Sequence, residues 1–274
     1  MTVIYLNSKP IKKLQFPNRE SLIRDTIPYP ENNIVELKFR GNQDLVHLLF
    51  VKKQLDELGV PASLFVWYMP YSRMDRKIDG DMFTLKYICE FVADLNFVRI
   101  VVVEPHSSVT VQLLENFGQN VSCVYPTLEW LPTVMAKMSF NPDYDTVVLP
   151  DKNAADRYQN LDCKTVILAK IRNPKTGRIL DMKLVDGQVN FGSKCLILDD
   201  ICSKGGTFLR AGQILRDAGA ASVALLVTHL EAAVFRGKLL NEISPIDKIF
   251  ASQSLTNRKH LKIDYLKLEV NRYV

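Results

Sequence analysis

A two-domain α/β fold with mostly parallel sheets is what this sequence predicts, and three observations predict it. Short segments rich in Val, Ile and Leu alternate with amphipathic helical segments along the whole chain. Near-continuous apolar strands separated by such helices belong to parallel sheets covered on both faces. The chain has 274 residues, more than one domain of roughly 100–150 residues organises, so two domains are expected. The third observation is that residues with chemical potential cluster just after strands, where open sheets of this kind bind ligands.

Strands are predicted at 3–6, 34–39, 64–69, 99–103, 146–149, 165–170, 195–199, 223–228 and 248–251, each an apolar run. Helical periodicity predicts helices at 43–58, 83–95, 108–116, 208–218 and 232–240, and Gly219 closes the helix over 208–218. The polar, turn-rich stretch SFNPDYD at 139–145 precedes a fresh strand, which places the domain boundary there and defines domains 1–140 and 141–274. Apolar residues alternate over 261–274, as a strand returning to the first domain would require.

Composition narrows the class. Hydrophobic residues make up 47% and charged residues 24% of the chain, the balance of a globular protein. The net charge of +5 is modest and the signs are mixed along the chain, so no nucleic-acid partner is expected. Polyanionic small substrates suit it. The five cysteines, Cys89, Cys123, Cys163, Cys195 and Cys202, are odd in number and lack CxxC spacing, as reduced structural thiols would. No apolar run approaches the ~18 residues that span a bilayer, and no leader pattern opens the chain. A cytoplasmic protein with no membrane partner is expected.

The segment KCLILDDICSKGGT at 194–207 is the richest in chemistry. An apolar strand runs into Asp199 and Asp200, then into Ser203, Lys204, Gly205, Gly206 and Thr207, which open a helix. Glycines let backbone approach a ligand, and free N–H groups at a helix start, with the Thr207 hydroxyl, face a phosphate. The acidic pair either binds a sugar hydroxyl or hydrated Mg²⁺ or simply solvates a strand end. A phosphorylated sugar is the ligand class this pattern points to. Further clusters follow other strands: Arg73, Asp75, Arg76 and Lys77 in YMPYSRMDRK at 68–77, His106 in VVVEPHSS at 101–108, Asp151 in TVVLPDKNAA at 146–155, and Lys170 and Arg172 in TVILAKIR at 165–172.

Segment 194–207 resembles the ribose-phosphate signature of type I phosphoribosyltransferases and of ribose-phosphate diphosphokinases (PRPP synthetases). YMPYSRMDRK, continued by FTLK at 83–86, is similar to a diphosphokinase element that phosphoribosyltransferases lack. The other clusters keep the order and spacing of that family, as does FPNRE at 16–20. The chain therefore resembles the PRPP synthetase family across about residues 16–210, as a divergent member. The resemblance implies two tandem phosphoribosyltransferase-like (Rossmann-like) domains, the first on the ATP side and the second on the ribose-phosphate side. It implies Mg²⁺-dependent transfer of diphosphate from ATP to the anomeric hydroxyl of ribose 5-phosphate, giving AMP and PRPP.

By the same resemblance Lys170 and Arg172 are catalytic, His106 and Asp151 hold metal, and Phe16, Asn18, Glu20, Arg73, Met74, Asp75, Lys77 and His106 meet ATP. Asp199, Asp200 and residues 203–207 hold the ribose phosphate. Segment 173–181 follows the catalytic cations as a closing lid would. The family's hairpin completes a neighbour's adenine site, so a dimer-based homo-oligomer, up to a hexamer, is implied. Departures are Asn18 and Arg19 in the hairpin, Glu104 and Asn153 beside the metal positions, and Ser203 and Lys204 where the family carries Asp-Thr. The last pair removes a carboxylate and adds a cation, which leaves ADP-ribose open as the acceptor, with ADP-ribose pyrophosphate for NAD synthesis as product. A PRPP-consuming phosphoribosyltransferase is the rival of another class, and a non-catalytic homologue is a third.

Overall fold

A computed structural model describes residues 4–24, 32–78, 80–159, 161–172 and 179–274, with backbone alone at 171, 172 and 179–181. The chain forms two units, Met1–Tyr125 with Glu269–Val274, and Pro126–Leu268.

In the first unit, strands β1 (Ile4–Leu6), β2 (Lys9–Pro10), β5 (Asn33–Leu37), β6 (Ala62–Val66), β7 (Ile100–Val103) and β8 (Val121–Val124) form one sheet in the order β2-β1-β5-β6-β7-β8. The strands β5 to β8 are parallel, and β1 runs antiparallel to both its neighbours. A separate antiparallel hairpin joins β3 (Lys13–Gln15) to β4 (Ser21–Ile23). Alternate strand residues share a face, so Val35, Leu37, Leu64, Val66, Ile100 and Val102 form one apolar surface. Helix α1 (Gln43–Glu57) buries Leu48, Val51 and Leu55 against it, at helical spacing, and α2 (Thr84–Asp94) and α3 (Val109–Asn116) add Leu85, Cys89 and Leu114. Each such large side chain taken from water contributes about 1.5–3 kcal/mol.

The second unit is a sheet of β9 (Thr146–Leu149), β10 (Thr165–Arg172), β11 (Ile179–Asp186), β12 (Lys194–Cys202), β13 (Ser222–Leu230), β14 (Lys248–Ala251) and β15 (Ile263–Tyr265), in the order β11-β10-β9-β12-β13-β14-β15. Only the β10–β11 pairing is antiparallel. Both faces are covered, as continuous apolar strands require. On one face Cys195, Ile197, Val223, Leu225 and Val227 pack with Phe208 and Leu215 of α6 (Gly206–Asp217). On the other, Leu196, Leu198, Ala224 and Leu226 pack with Trp130, Leu131 and Val134 of α4 (Pro126–Lys137) and with Ala154 of α5 (Lys152–Arg157).

Three expectations are corrected. The division falls after Tyr125, not at 140, because α4 packs its apolar side on the second sheet. Residues 232–240 form only a 3₁₀ turn, Ala232–Arg236. Gly237 then passes so close to Lys204 that a Cβ on it would lie 2.2 Å from the Lys204 carbonyl oxygen, a contact that needs glycine just past the turn. At the end of the chain, β15 pairs with β14 in the second unit, and Glu269–Val274 returns to the first unit through a 3₁₀ turn, Val270–Arg272, in place of a strand. The expected lid largely lies outside the described residues; its last positions begin β11. Among the described residues no helix is long and apolar enough to cross a membrane.

Candidate active site

In the second unit the marked residues gather at the carboxyl ends of β9, β10 and β12. Asp151 follows β9 and caps α5 from extended backbone, one carboxylate oxygen accepting the Ala154 N–H at 3.0 Å. Its other oxygen accepts from the Lys170 ammonium of β10 at 2.5 Å, and the Lys170 side chain is only 11% exposed. Burial pushes the Asp151 carboxyl up. The Lys170 charge and the hydrogen bonds from Lys170 and Ala154 more than offset it and hold the group below the usual carboxylate range. Arg172 ends β10, and its side chain lies outside the described residues.

Asp199 and Asp200 lie inside β12, which continues to Cys202 because its pairing with β13 runs on to Leu230. Both are buried, and Asp199 accepts the Asp200 N–H at 2.9 Å. Arg157, the last residue of α5, places Nη1 3.0 Å from Asp200 Oδ1 and 3.8 Å from Asp199 Oδ1. Burial first, and then the adjacent Asp200, push the Asp199 carboxyl well above its usual range. Sequence reasoning missed Arg157: within the charged run KNAADR nothing sets it apart from a solvated helix residue.

The turn from β12 into α6 has the geometry its glycines predict. Gly205 is left-handed at φ +85°, and a Cβ there would meet Leu239 Cδ2 at 2.7 Å. A Cβ on Gly206 would meet open space, so a ligand has backbone access. The first helix-closing bond runs from Leu209 N–H to the Gly205 carbonyl at 2.9 Å, and the amides ahead of it are of the kind that bind anions. Ser203 and Thr207 are half-buried and Lys204 is exposed.

The first unit presents its residues on separate turns. In the hairpin, Phe16 is 45% exposed, Asn18 accepts the Glu20 N–H at 3.1 Å, and Arg19 stands at φ +71° where the resembled family carries glycine. Gln43 of α1 donates to the Arg19 carbonyl at 2.6 Å, tying the hairpin tip to the helix start. After β6 the chain turns at Tyr71, φ +60°, whose hydroxyl donates to Asn42 at 2.6 Å. The Met74 N–H donates to the Tyr71 carbonyl, and the Met74 carbonyl accepts from the Leu85 N–H. Arg73, Met74, Arg76 and Lys77 are exposed, and Asp75 lies 4.0 Å from Arg76. After β7, buried Glu104 sits at φ +40°, a conformation that costs a non-glycine residue about 1–3 kcal/mol. His106 follows, half-buried. Nearby in sequence to these turns, the buried hydroxyls of Ser72 and Ser107 have no hydrogen-bond partner among the described residues.

Among the described residues no three His, Cys, Asp or Glu side chains form a ready metal cage. Magnesium is commonly held through one or two carboxylates, retained waters and substrate phosphates, and Asp151, an ionised oxygen donor that already accommodates a cation, fits that role. All five cysteines are unpaired thiols, and burial pushes each of them up, Cys89 to about 12 and Cys123 and Cys195 to about 11, which leaves little reactive thiolate near neutral pH.

Strand, acidic pair, glycine turn and helix on a covered parallel sheet define the phosphoribosyltransferase-like class of α/β proteins. No family model matches the chain. It is similar to the ribose-phosphate pyrophosphokinase of Sulfolobus acidocaldarius, 30% identical over 225 residues that cover 78% of this chain and 74% of the relative. It is also similar to that of Pyrococcus abyssi, 28% identical over 250 residues, 87% of this chain and 83% of the relative. Its fold matches the crystal structure of phosphoribosylpyrophosphate synthetase from Mycobacterium smegmatis with a TM-score of 0.71 at 20% identity, over 93% of this chain and 85% of that one. The chain belongs to the ribose-phosphate pyrophosphokinase family, and it is an enzyme of the diphosphotransferase type.

Proposed function

We propose that the protein transfers the β,γ-diphosphoryl group of ATP to the anomeric hydroxyl of ribose 5-phosphate, giving AMP and PRPP with Mg²⁺ as cofactor. The observation that carries this reading is the pairing of Lys170 with Asp151 beside the Arg157–Asp199–Asp200 cluster, on the unit that also carries the glycine turn into α6. The anomeric oxygen forms a bond to the β-phosphorus and gives up its proton to solvent, the bond from that phosphorus to the α,β-bridging oxygen breaks, and AMP leaves with the bridging oxygen. Positioning and cationic screening dominate such a reaction, because the attacked phosphate oxygens repel the nucleophile.

Lys170, joined by Arg172, screens the charge on the transferred group. Asp199 and Asp200 accept from ribose hydroxyls, with Arg157 holding their carboxylates in place. The amides at Gly205, Gly206 and Thr207, with Ser203 and Lys204, hold the 5-phosphate. Asp151 is the metal contact of the second unit and His106 that of the first, where Phe16, Asn18, Glu20, Arg73, Met74, Asp75 and Lys77 serve the nucleotide. Bound Mg²⁺ supplies Lewis-acid polarisation of the phosphates. Phe16 acts on the adenine of a neighbouring copy, so the working form is a homo-oligomer, in a cytoplasm that keeps the thiols reduced.

The same chemistry on ADP-ribose, yielding ADP-ribose pyrophosphate for NAD synthesis, is the second reading. It is favoured by exposed Lys204 at the mouth of the phosphate turn, a cation available to a diphosphate. Incubation with Mg-ATP and each acceptor separately, with AMP measured, tests both. AMP with ribose 5-phosphate supports the first reading, AMP with ADP-ribose alone supports the second, and AMP with neither contradicts both.

A further inference from the structure

We propose that Lys170 and a divalent cation exclude one another at the Asp151 carboxylate, so that metal loading is the event that frees the lysine for a phosphate ligand. Both oxygens of Asp151 are engaged, but unequally. One caps α5 through Ala154 at 3.0 Å, and losing a cap costs a helix about 1 kcal/mol. The other holds the Lys170 ammonium at 2.5 Å, so an incoming cation takes that oxygen.

An ammonium and a divalent ion sharing one carboxylate oxygen repel strongly where water screens little, and the two side chains are only 11% and 22% exposed. Lys170 carries its charge on a flexible stem. Its backbone is fixed in β10, opposite Met182 of β11, while its four-carbon stem turns by side-chain torsions alone. Arg157 meanwhile pairs with Asp200 from α5 at 3.0 Å, so Asp200 has a cation of its own. In the metal-free chain Lys170 is therefore parked, and a polyphosphate arriving without metal meets a lysine already spent on a carboxylate. That the freed lysine then meets a transferred diphosphate rests on the proposed function; the exclusion itself does not.

The test uses the full chain with Mn²⁺ and Mg²⁺ and no nucleotide. Replacing the ammonium by a neutral stem, Lys170→Met, is expected to tighten Mn²⁺ binding by about tenfold, the order of one charge-assisted hydrogen bond, read by electron paramagnetic resonance of free Mn²⁺. In unmodified protein, Mg²⁺ alone is expected to raise the rate at which an amine-reactive ester labels Lys170 severalfold, read by peptide mass spectrometry against the other lysines. Equal Mn²⁺ affinity in folded Lys170→Met, or Lys170 labelling indifferent to Mg²⁺, overturns the exclusion. Both metal responses without AMP from any acceptor would leave it standing and remove the proposed function; AMP release with neither response would do the reverse.

Discussion

The two units hold their marked residues in different ways. In the second, charged side chains hold one another: Lys170 on Asp151, Arg157 on Asp200 and Asp199, all largely buried before any ligand arrives. In the first, backbone does the positioning. Phe16, Arg73, Met74 and Lys77 are exposed on turns fixed by left-handed residues and main-chain hydrogen bonds. A site compensated internally is stiff, and ligand must exchange for existing ion pairs. A site built from exposed side chains on tied turns gains its order when ligand comes, and costs the fold little in the meantime.

Four substitutions probe that difference between the units. Lys170→Ala removes a preorganised cation and is expected to lower kcat by about 10²–10³ in steady-state AMP release, with little change in KM. An effect within about threefold would deny the second unit its catalytic role. Gly205→Val forces a β-branched residue into φ +85° against Leu239 at 2.7 Å. Backbone strain and overpacking together predict a loss of about 2–4 kcal/mol in urea unfolding.

Asp199→Asn tests the internal compensation through pH. The folded-state pKa of Asp199 is raised, so the unfolded chain ionises first, and native stability falls as pH rises through the unfolded value of about 3.9 towards the folded one. The asparagine variant escapes that cost. It is expected to melt about 2–4 °C higher than the parent near pH 7, on the order of 1 kcal/mol, and to lose the advantage below about pH 4. A lower melting temperature at neutral pH would contradict it. The smallest effect is expected in the hairpin. Arg19→Gly relieves the φ +71° strain but frees the unfolded chain, for a net gain of at most about 1 kcal/mol.

Most of the parallel framework was legible because buried strands are short and apolar: β9 and β14 match their predicted ranges, and α1, α2, α3 and α6 lie within about two residues of theirs. Other elements were hidden for identifiable reasons. Helix α4 carries Pro126 at its start and Pro132 inside it, punctuation that reads as loop, so the boundary was expected too late in the chain. Strand β11 begins inside segment 173–181, expected as a lid, and its remaining residues, 182–186, are assigned no element from the sequence. Of the candidate site, Asp151, Lys170, Asp199 and Asp200 are legible as strand-end residues, whereas Arg157 is not, since its contacts depend on where α5 points it. The strain at Glu104 was equally invisible, because the residue type does not announce a left-handed backbone, whereas Arg19 stands where the resembled family carries glycine.

The proposed reaction moves a diphosphoryl group, as one piece, from ATP to a sugar. Phosphorus-31 NMR of a reaction with Mg-ATP and ribose 5-phosphate tests it most directly. Equimolar AMP and a new diphosphate coupled to the sugar C1 are the predicted products; ADP with a singly phosphorylated sugar, or an unchanged spectrum, would contradict the account.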